Sequence, residues 1–162
     1  MNVLLTNFEK SVMEKLLFGL HPCLENLRTQ LAHCRAIKRE FTGVGFFIFF
    51  DIDPKLAYGD VNFQLGDIHA KVAGVRDGVG FVLFIEKGLI NNLEGYTYDE
   101  PYPKKIEQYT LNYSWSRAHR PLTVADLEKN HERVEVANER DFIELFTIFS
   151  KIGIKDGIPT KP

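Results

Sequence analysis

Residues 77–103, DGVGFVLFIEKGLINNLEGYTYDEPYP, constrain the fold of this chain more than any other stretch. Val79 to Ile85 is almost entirely β-branched or aromatic and is bounded by glycines, the composition of a buried strand. Glu86-Lys87-Gly88 follows as a short turn, with Gly88 suited to a left-handed backbone that a Cβ disfavours. A three-residue loop pairs Ile85 with Leu89, Leu83 with Asn91 and Phe81 with Leu93. It places Phe81, Leu83, Ile85, Leu89 and Leu93 on one face. A two-residue loop, Lys87-Gly88, shifts the pairing by one and turns one strand over relative to the other. The three-residue loop gives the cleaner apolar face and is the expected one. Glu94 then points opposite to Leu93, on the face carrying Ile90, and reads as a partly solvated carboxylate near a strand end.

The chain before this hairpin starts as helix. Thr6 and Glu9 have capping-box spacing, and Phe8, Val12, Leu16 and Leu20 follow at intervals of four, widened by Met13 and Leu17. Gly19 is a natural stop, and Pro22 suits the first turn of a second helix whose inner face is Leu24, Leu27, Leu31 and Cys34. Cys23 and Cys34 are about 16 Å apart along such a helix, so they do not bridge each other and read as free thiols. His21, Cys23, His33 and Cys34 resemble a metal set only on paper. His33 and Cys34 are adjacent and diverge by about 100°, which leaves no convergent ligand group. No metal and no cofactor is expected.

From Ile37 the period changes to two. Gly43 to Ile52 is apolar on both faces until Asp51, which requires a central or doubly covered strand. Ile68, Ala70 and Val72 alternate with His69 and Lys71, so His69 reads as a solvent-face histidine. Gly43-Val44-Gly45-Phe46 recurs as Gly78-Val79-Gly80-Phe81, each time opening a strand. A phosphate-binding glycine loop follows a strand and opens a helix, so nucleotide binding is not indicated. Bulges or close packing at two neighbouring strand starts account for the repeat.

Beyond Pro103, Tyr109, Leu111, Tyr113 and Trp115 share one face of a strand expected to be the last in the sheet. Arg117 to Pro121 breaks it. Thr123 and Asp126 start a charged helix over Ala125 to Arg133, and a stronger helix covers Glu139 to Lys151 with Phe142, Leu145, Phe146 and Phe149 inward. The tail DGIPTKP should be mobile. These patterns predict an α+β fold: an N-terminal helical hairpin on an antiparallel sheet of about five strands, with a C-terminal helical extension. Residues 1–113 form the core domain and 114–162 an extension packed on it.

Gly80-Phe81-Val82-Leu83-Phe84-Ile85 and Leu93-Glu94-Gly95-Tyr96-Thr97-Tyr98 resemble a family of small uncharacterised bacterial proteins. Its pattern is a GF-apolar strand, a glycine turn and LEGY, followed by an aromatic, acids and a Trp-Pro close, here Tyr102-Pro103. Thr42 to Phe46 and the helical hairpin are similar too, and the likeness covers about residues 6–113. It implies a bacterial source and a shared fold, and carries over no catalytic residue.

Charge bears on partners. The net charge of −2 hides a concentration of acid: residues 44–103 hold nine Asp/Glu against four Lys/Arg. Such a field disfavours nucleic acid and favours a basic protein partner. No apolar run approaches the roughly 20 residues that span a bilayer. The opening MNVLLTNFEK lacks the regions of a secretory signal, so a cytoplasmic location without membrane contact is expected. The sequence therefore points to a non-enzymatic binding or inhibitory protein, of the immunity type, using Glu94, Tyr96, Tyr98, Asp99, Glu100 and Tyr102. Tyrosine gives contact area at low entropic cost, and acids steer a basic partner. One alternative is a small hydrolase using Glu94 with His69, Asp99 or His119, although no nucleophile motif accompanies it. Another is a homo-oligomer, such as a homodimer, built on the Phe46 to Phe50 strand or the Tyr109 to Trp115 face.

Overall fold

The computed structural model describes residues 3–116, 134–137, 139–155, 158 and 159. The break at 117–121, the helix over 125–133, His119 and the end of the tail lie outside them.

Helix α1 spans Asn7–Leu16 and α2 spans Pro22–His33. The Thr6 box forms as spaced: Glu9 N donates to Thr6 Oγ1 at 3.1 Å and Thr6 N donates to Glu9 Oε2 at 2.7 Å. Phe8, Val12, Met13 and Leu16 line the inward side of α1. Leu20, expected to extend that stripe, sits in the turn beyond the helix end and is 90% exposed. The turn is closed by Arg28 on α2, whose guanidinium donates to the carbonyls of Leu17 and Gly19.

Eight strands form one antiparallel sheet: β1 Arg35–Phe41, β2 Gly45–Asp51, β3 Phe63–Leu65, β4 Ile68–Val72, β5 Val79–Glu86, β6 Leu89–Thr97, β7 Tyr109–Ser116 and β8 Val134–Ala137. Their order is β1-β2-β6-β5-β4-β7-β8, with β3 also paired to β5. The count exceeds about five in part because β3 and β8, of three and four residues, are too short for their alternation to stand out from a loop. Strand β7 runs through the expected boundary at 113/114 and is followed in the sheet by β8. Helix α3, Phe142–Lys151, is capped by Asp141, which accepts from Glu144 N. The two-residue strands β9 Ile154–Lys155 and β10 Ile158–Pro159 then pair, so part of the tail expected to be mobile is a ladder.

The three described helices pack on one face. Phe8 meets Phe81 and Tyr109 at ring-centroid distances of 5.6 and 4.7 Å, and Phe149 of α3 meets Phe63 at 5.3 Å. Phe46, Ile48, Phe81, Leu83, Ile85 and Leu93 lie beneath them, each at most 2% exposed. Burying side chains of this size contributes about 1.5–3 kcal/mol each.

The hairpin at the centre differs from expectation at its turn. Its loop is the two-residue Lys87-Gly88, both in left-handed conformation with φ of 51° and 74°, and Glu86 pairs with Leu89. The pairing is then reset by a bulge, because Ile85 faces Ile90 while Phe84 faces Asn92. The extra residue, Asn91, keeps Leu83 opposite Leu93 and brings Ile90 into the core in place of Leu89. Glu94 consequently lies on the face opposite Ile90. A buried side chain on α2 explains the choice. Gln30 donates from Nε2 to Gly88 O and accepts at Oε1 from Ile90 N, which satisfies groups that this turn leaves without strand partners.

Candidate functional site

The second face of the sheet carries the expected site. Its side chains, among them Phe47, Phe49, Val82, Phe84, Glu94, Tyr96 and His69, are half-buried, in contrast to the sealed residues under the helices.

Tyr96 is seated by the glycine repeat. On β6 it pairs with Gly45 of β2 on one side and Gly80 of β5 on the other. The second glycine of each GVGF copy is thus a neighbour of the same tyrosine. A Cβ at Gly80 would lie 2.5 Å from Tyr96 Cζ, so the ring rests directly on that strand. Gly78 leaves similar room for His69, since a Cβ there would lie 2.5 Å from the imidazole Cε1. Close packing therefore accounts for Gly78 and Gly80, and the ladders run through Gly45 and Gly80 without a register shift.

Tyr98, 37% exposed, stands edge-on to Tyr96 at 5.5 Å, and its ring lies 6.4 Å from that of His69. Asp99 follows in a left-handed conformation, φ 54°, and is exposed. Glu94 is one row away on the same face, opposite Val82 and Phe47. His69 Nε2 lies 3.0 Å from Asp77 O; a carbonyl only accepts, so Nε2 carries the proton, and the buried Nδ1 has no hydrogen-bond partner among the described residues.

Glu100 and Tyr102 are differently employed. The Glu100 carboxylate accepts from Arg76 N and Asp77 N at 3.1 and 3.2 Å, tying the site loop to the β4–β5 connection. Thr97 Oγ1 reaches the carbonyls of Val44 and Glu100, and Tyr102 N donates to Gly43 O. Tyr102 turns inward, edge-on to Phe46 at 5.3 Å, and burial pushes its phenol above the usual range. The six predicted residues thus divide into four that face outward (Glu94, Tyr96, Tyr98 and Asp99) and two that hold the loop.

No family model, curated protein or solved structure matches this chain. The chemistry of the site must then be taken from its geometry. Glu94 and His69 share the face but lie two strands across and two residues along from each other, about 12 Å at ordinary strand spacings, with Tyr96 and Gly80 in the row of His69. Burial pushes the Cys23 thiol up to about 12 and raises that of Cys34, so neither is a nucleophilic thiolate at neutral pH. Among the described residues no three His, Cys, Asp or Glu side chains converge as metal ligands, and no helix is long and apolar enough to cross a membrane.

Sequence reasoning missed the pairing of both glycines with Tyr96 and the clamp formed by Gln30. The repeat of GVGF was the visible signal for the first. No pattern marked the second, because a glutamine within a helix ordinarily reads as solvent-facing.

Proposed function

We propose that this chain is a non-enzymatic binding protein that docks a basic protein surface on the open face of its sheet. The observation that carries the reading is the Tyr96–Tyr98 pair, set edge-to-face on a glycine platform with Glu94 and Asp99 on either side along the chain. Two rings held in place present cation-attracting faces at low entropic cost, and neighbouring carboxylates favour Lys or Arg over any anionic partner. An inhibitor of the immunity type acts in this way, covering a basic surface with acids and rings. Glu100 and Tyr102 position the loop and make no contact with the partner in this reading.

The test uses immobilised Lys/Arg-rich and Asp/Glu-rich peptide arrays probed with the intact protein. Binding should be confined to the basic arrays and weaken as salt rises. It should fall about tenfold or more in Tyr98→Ala, the loss expected for an interfacial tyrosine. Equal capture by both arrays, or no change in Tyr98→Ala and Asp99→Asn, would overturn the reading.

A further inference from the structure

Two hydrogen-bond acceptors on the second face of the sheet have no donor among the described residues. Asn92 and Glu94 both point to that face, because Leu93 between them is buried in the core. A short relay orients the Asn92 amide. A carboxylate only accepts, so Asn91 turns Nδ2 to Glu86 Oε2 at 3.1 Å, and its Oδ1 accepts from Asn92 Nδ2 at 2.7 Å. Asn92 Oδ1 is thereby left as a buried acceptor without a partner among the described residues. The half-buried Glu94 carboxylate likewise has no ion pair or hydrogen bond among them. Lys38 does not serve as its counter-ion. That ammonium pairs with Glu40 and lies 5.8 Å from the centroid of the Phe49 ring. The flanking side chains are apolar. Phe49 and Phe84 lie on either side of Asn92 in its cross-strand row, and Phe47 and Val82 on either side of Glu94. All four are half-buried, and the Phe47 and Phe49 rings stack at 6.3 Å. Withdrawing a carboxylate and an amide oxygen from water among such groups is unfavourable until donors meet them.

We propose that Glu94 and Asn92 together seat an arginine side chain of the docked protein, in preference to a lysine. This rests on the reading of the face as a dock for a basic surface, and specifies which basic residue it takes. Glu94 supplies the opposite charge. Same-face residues two apart on a strand are separated by about 7 Å. A guanidinium donates from opposite edges of one plane and can bridge acceptors so spaced, one edge to Glu94 and the other to Asn92 Oδ1. An ammonium donates from a single nitrogen and satisfies Glu94 alone. The covered Oδ1 is reached when the Phe49 or Phe84 ring turns aside, and the flat guanidinium then stacks on that ring. Arginine is also the more weakly hydrated cation, so it gives up less on entering an apolar row.

The test is fluorescence anisotropy with two capped, labelled peptides that differ only in carrying arginine or lysine at the same positions. Each is titrated with the full chain at one salt concentration. The arginine peptide should bind wild type about tenfold or more tightly, the increment expected of a hydrogen bond to a charged group. Asn92→Leu keeps the side-chain size and removes the acceptor. It should weaken the arginine peptide about tenfold and leave the lysine peptide within a few-fold of wild type. Glu94→Gln should weaken both. Far-ultraviolet circular dichroism confirms folding of each variant, and the wild-type comparison stands without them. Equal wild-type affinity for the two peptides overturns the proposal while leaving the basic-surface reading in place. So does an Asn92→Leu protein that keeps the full arginine preference. Binding of neither peptide overturns both.

Discussion

The side-chain amide of Gln30 on α2 takes the place of a strand partner for Ile90 on β6, accepting its backbone N–H at 2.9 Å in a fully buried setting. The same amide donates to Gly88 O at 2.8 Å and to Asn26 Oδ1 at 2.7 Å. One side chain thereby joins the helical layer to the turn that sets the register of the central hairpin.

Gln30→Ala should be among the most destabilising single changes in the chain. It leaves Ile90 N buried without this partner, at about 1–3 kcal/mol, while Gly88 O loses one of two donors and keeps Tyr58 N at 2.9 Å. Gln30→Glu keeps the acceptor for Ile90 N, replaces the donor and buries charge, so it should not rescue stability. Urea midpoints of the two variants against wild type measure both effects.

The two glycines beside Tyr96 should respond differently to alanine. At Gly80 the new methyl meets the far end of the Tyr96 ring, which can swing away; the cost should be about 1–3 kcal/mol, typical of overpacking. At Gly45 it meets the carbonyl of Gly95, and backbone in the middle of a sheet cannot yield as a ring does. Gly45→Ala should therefore cost more. Removing the ring in Gly80→Ala/Tyr96→Ala should recover part of the Gly80→Ala loss, whereas Tyr96→Ala should not help Gly45→Ala. Double-mutant cycles on denaturation free energies give the comparison.

His21 makes stability depend on pH. It caps α2, with Nδ1 accepting from Cys23 N at 3.1 Å, and lies 4.8 and 4.9 Å from the rings of Phe146 and Phe149. Burial lowers its pKa from the ordinary 6.5, opposed in part by Glu25. Below that ordinary value the unfolded chain takes up a proton that the folded chain resists. The His21 contribution should thus be fully present above pH 6.5, decline as the pH falls through it, and level off below the folded-state pKa. In His21→Asn, where a good cap cannot titrate, this component should be absent. Denaturation midpoints between about pH 5 and pH 8 read the difference.

Arg140 fastens the C-terminal segment. Its fully buried guanidinium pairs in two-pronged fashion with Asp67, at 2.7 and 2.8 Å, and donates to Phe18 O at 2.7 Å. Arg140→Ala should cost about 3–5 kcal/mol, the range for breaking one side of a buried pair. Arg140→Lys should recover only part of it, because an ammonium cannot reproduce the planar fork. Thermal unfolding of both variants checks the order.

Much of this architecture could be read in the chain because it follows from local rules. The Thr6 capping box, Pro22 opening α2, the inward stripes of α1 and α3, and the strand periods of β2, β4, β5 and β7 all depend on residues within a few positions of one another; α1 stops at Leu16, ahead of the expected Gly19. Leu20 misled because four-residue spacing continued past the end of its helix. The outward placement of Glu94, Tyr96 and Tyr98 was visible too, once Leu93 was assigned to the core. Tertiary contacts decided the rest. Whether the central loop had two residues or three depended on Gln30, which is 58 residues away from Gly88. Why GVGF occurs twice became clear only when β2 and β5 were seen on either side of β6, with Tyr96 between Gly45 and Gly80. Periodicity reports which way a side chain points from its own strand. It carries no information on which distant strand or helix arrives beside it, and that arrival selected the register, the ring seat and the buried partners.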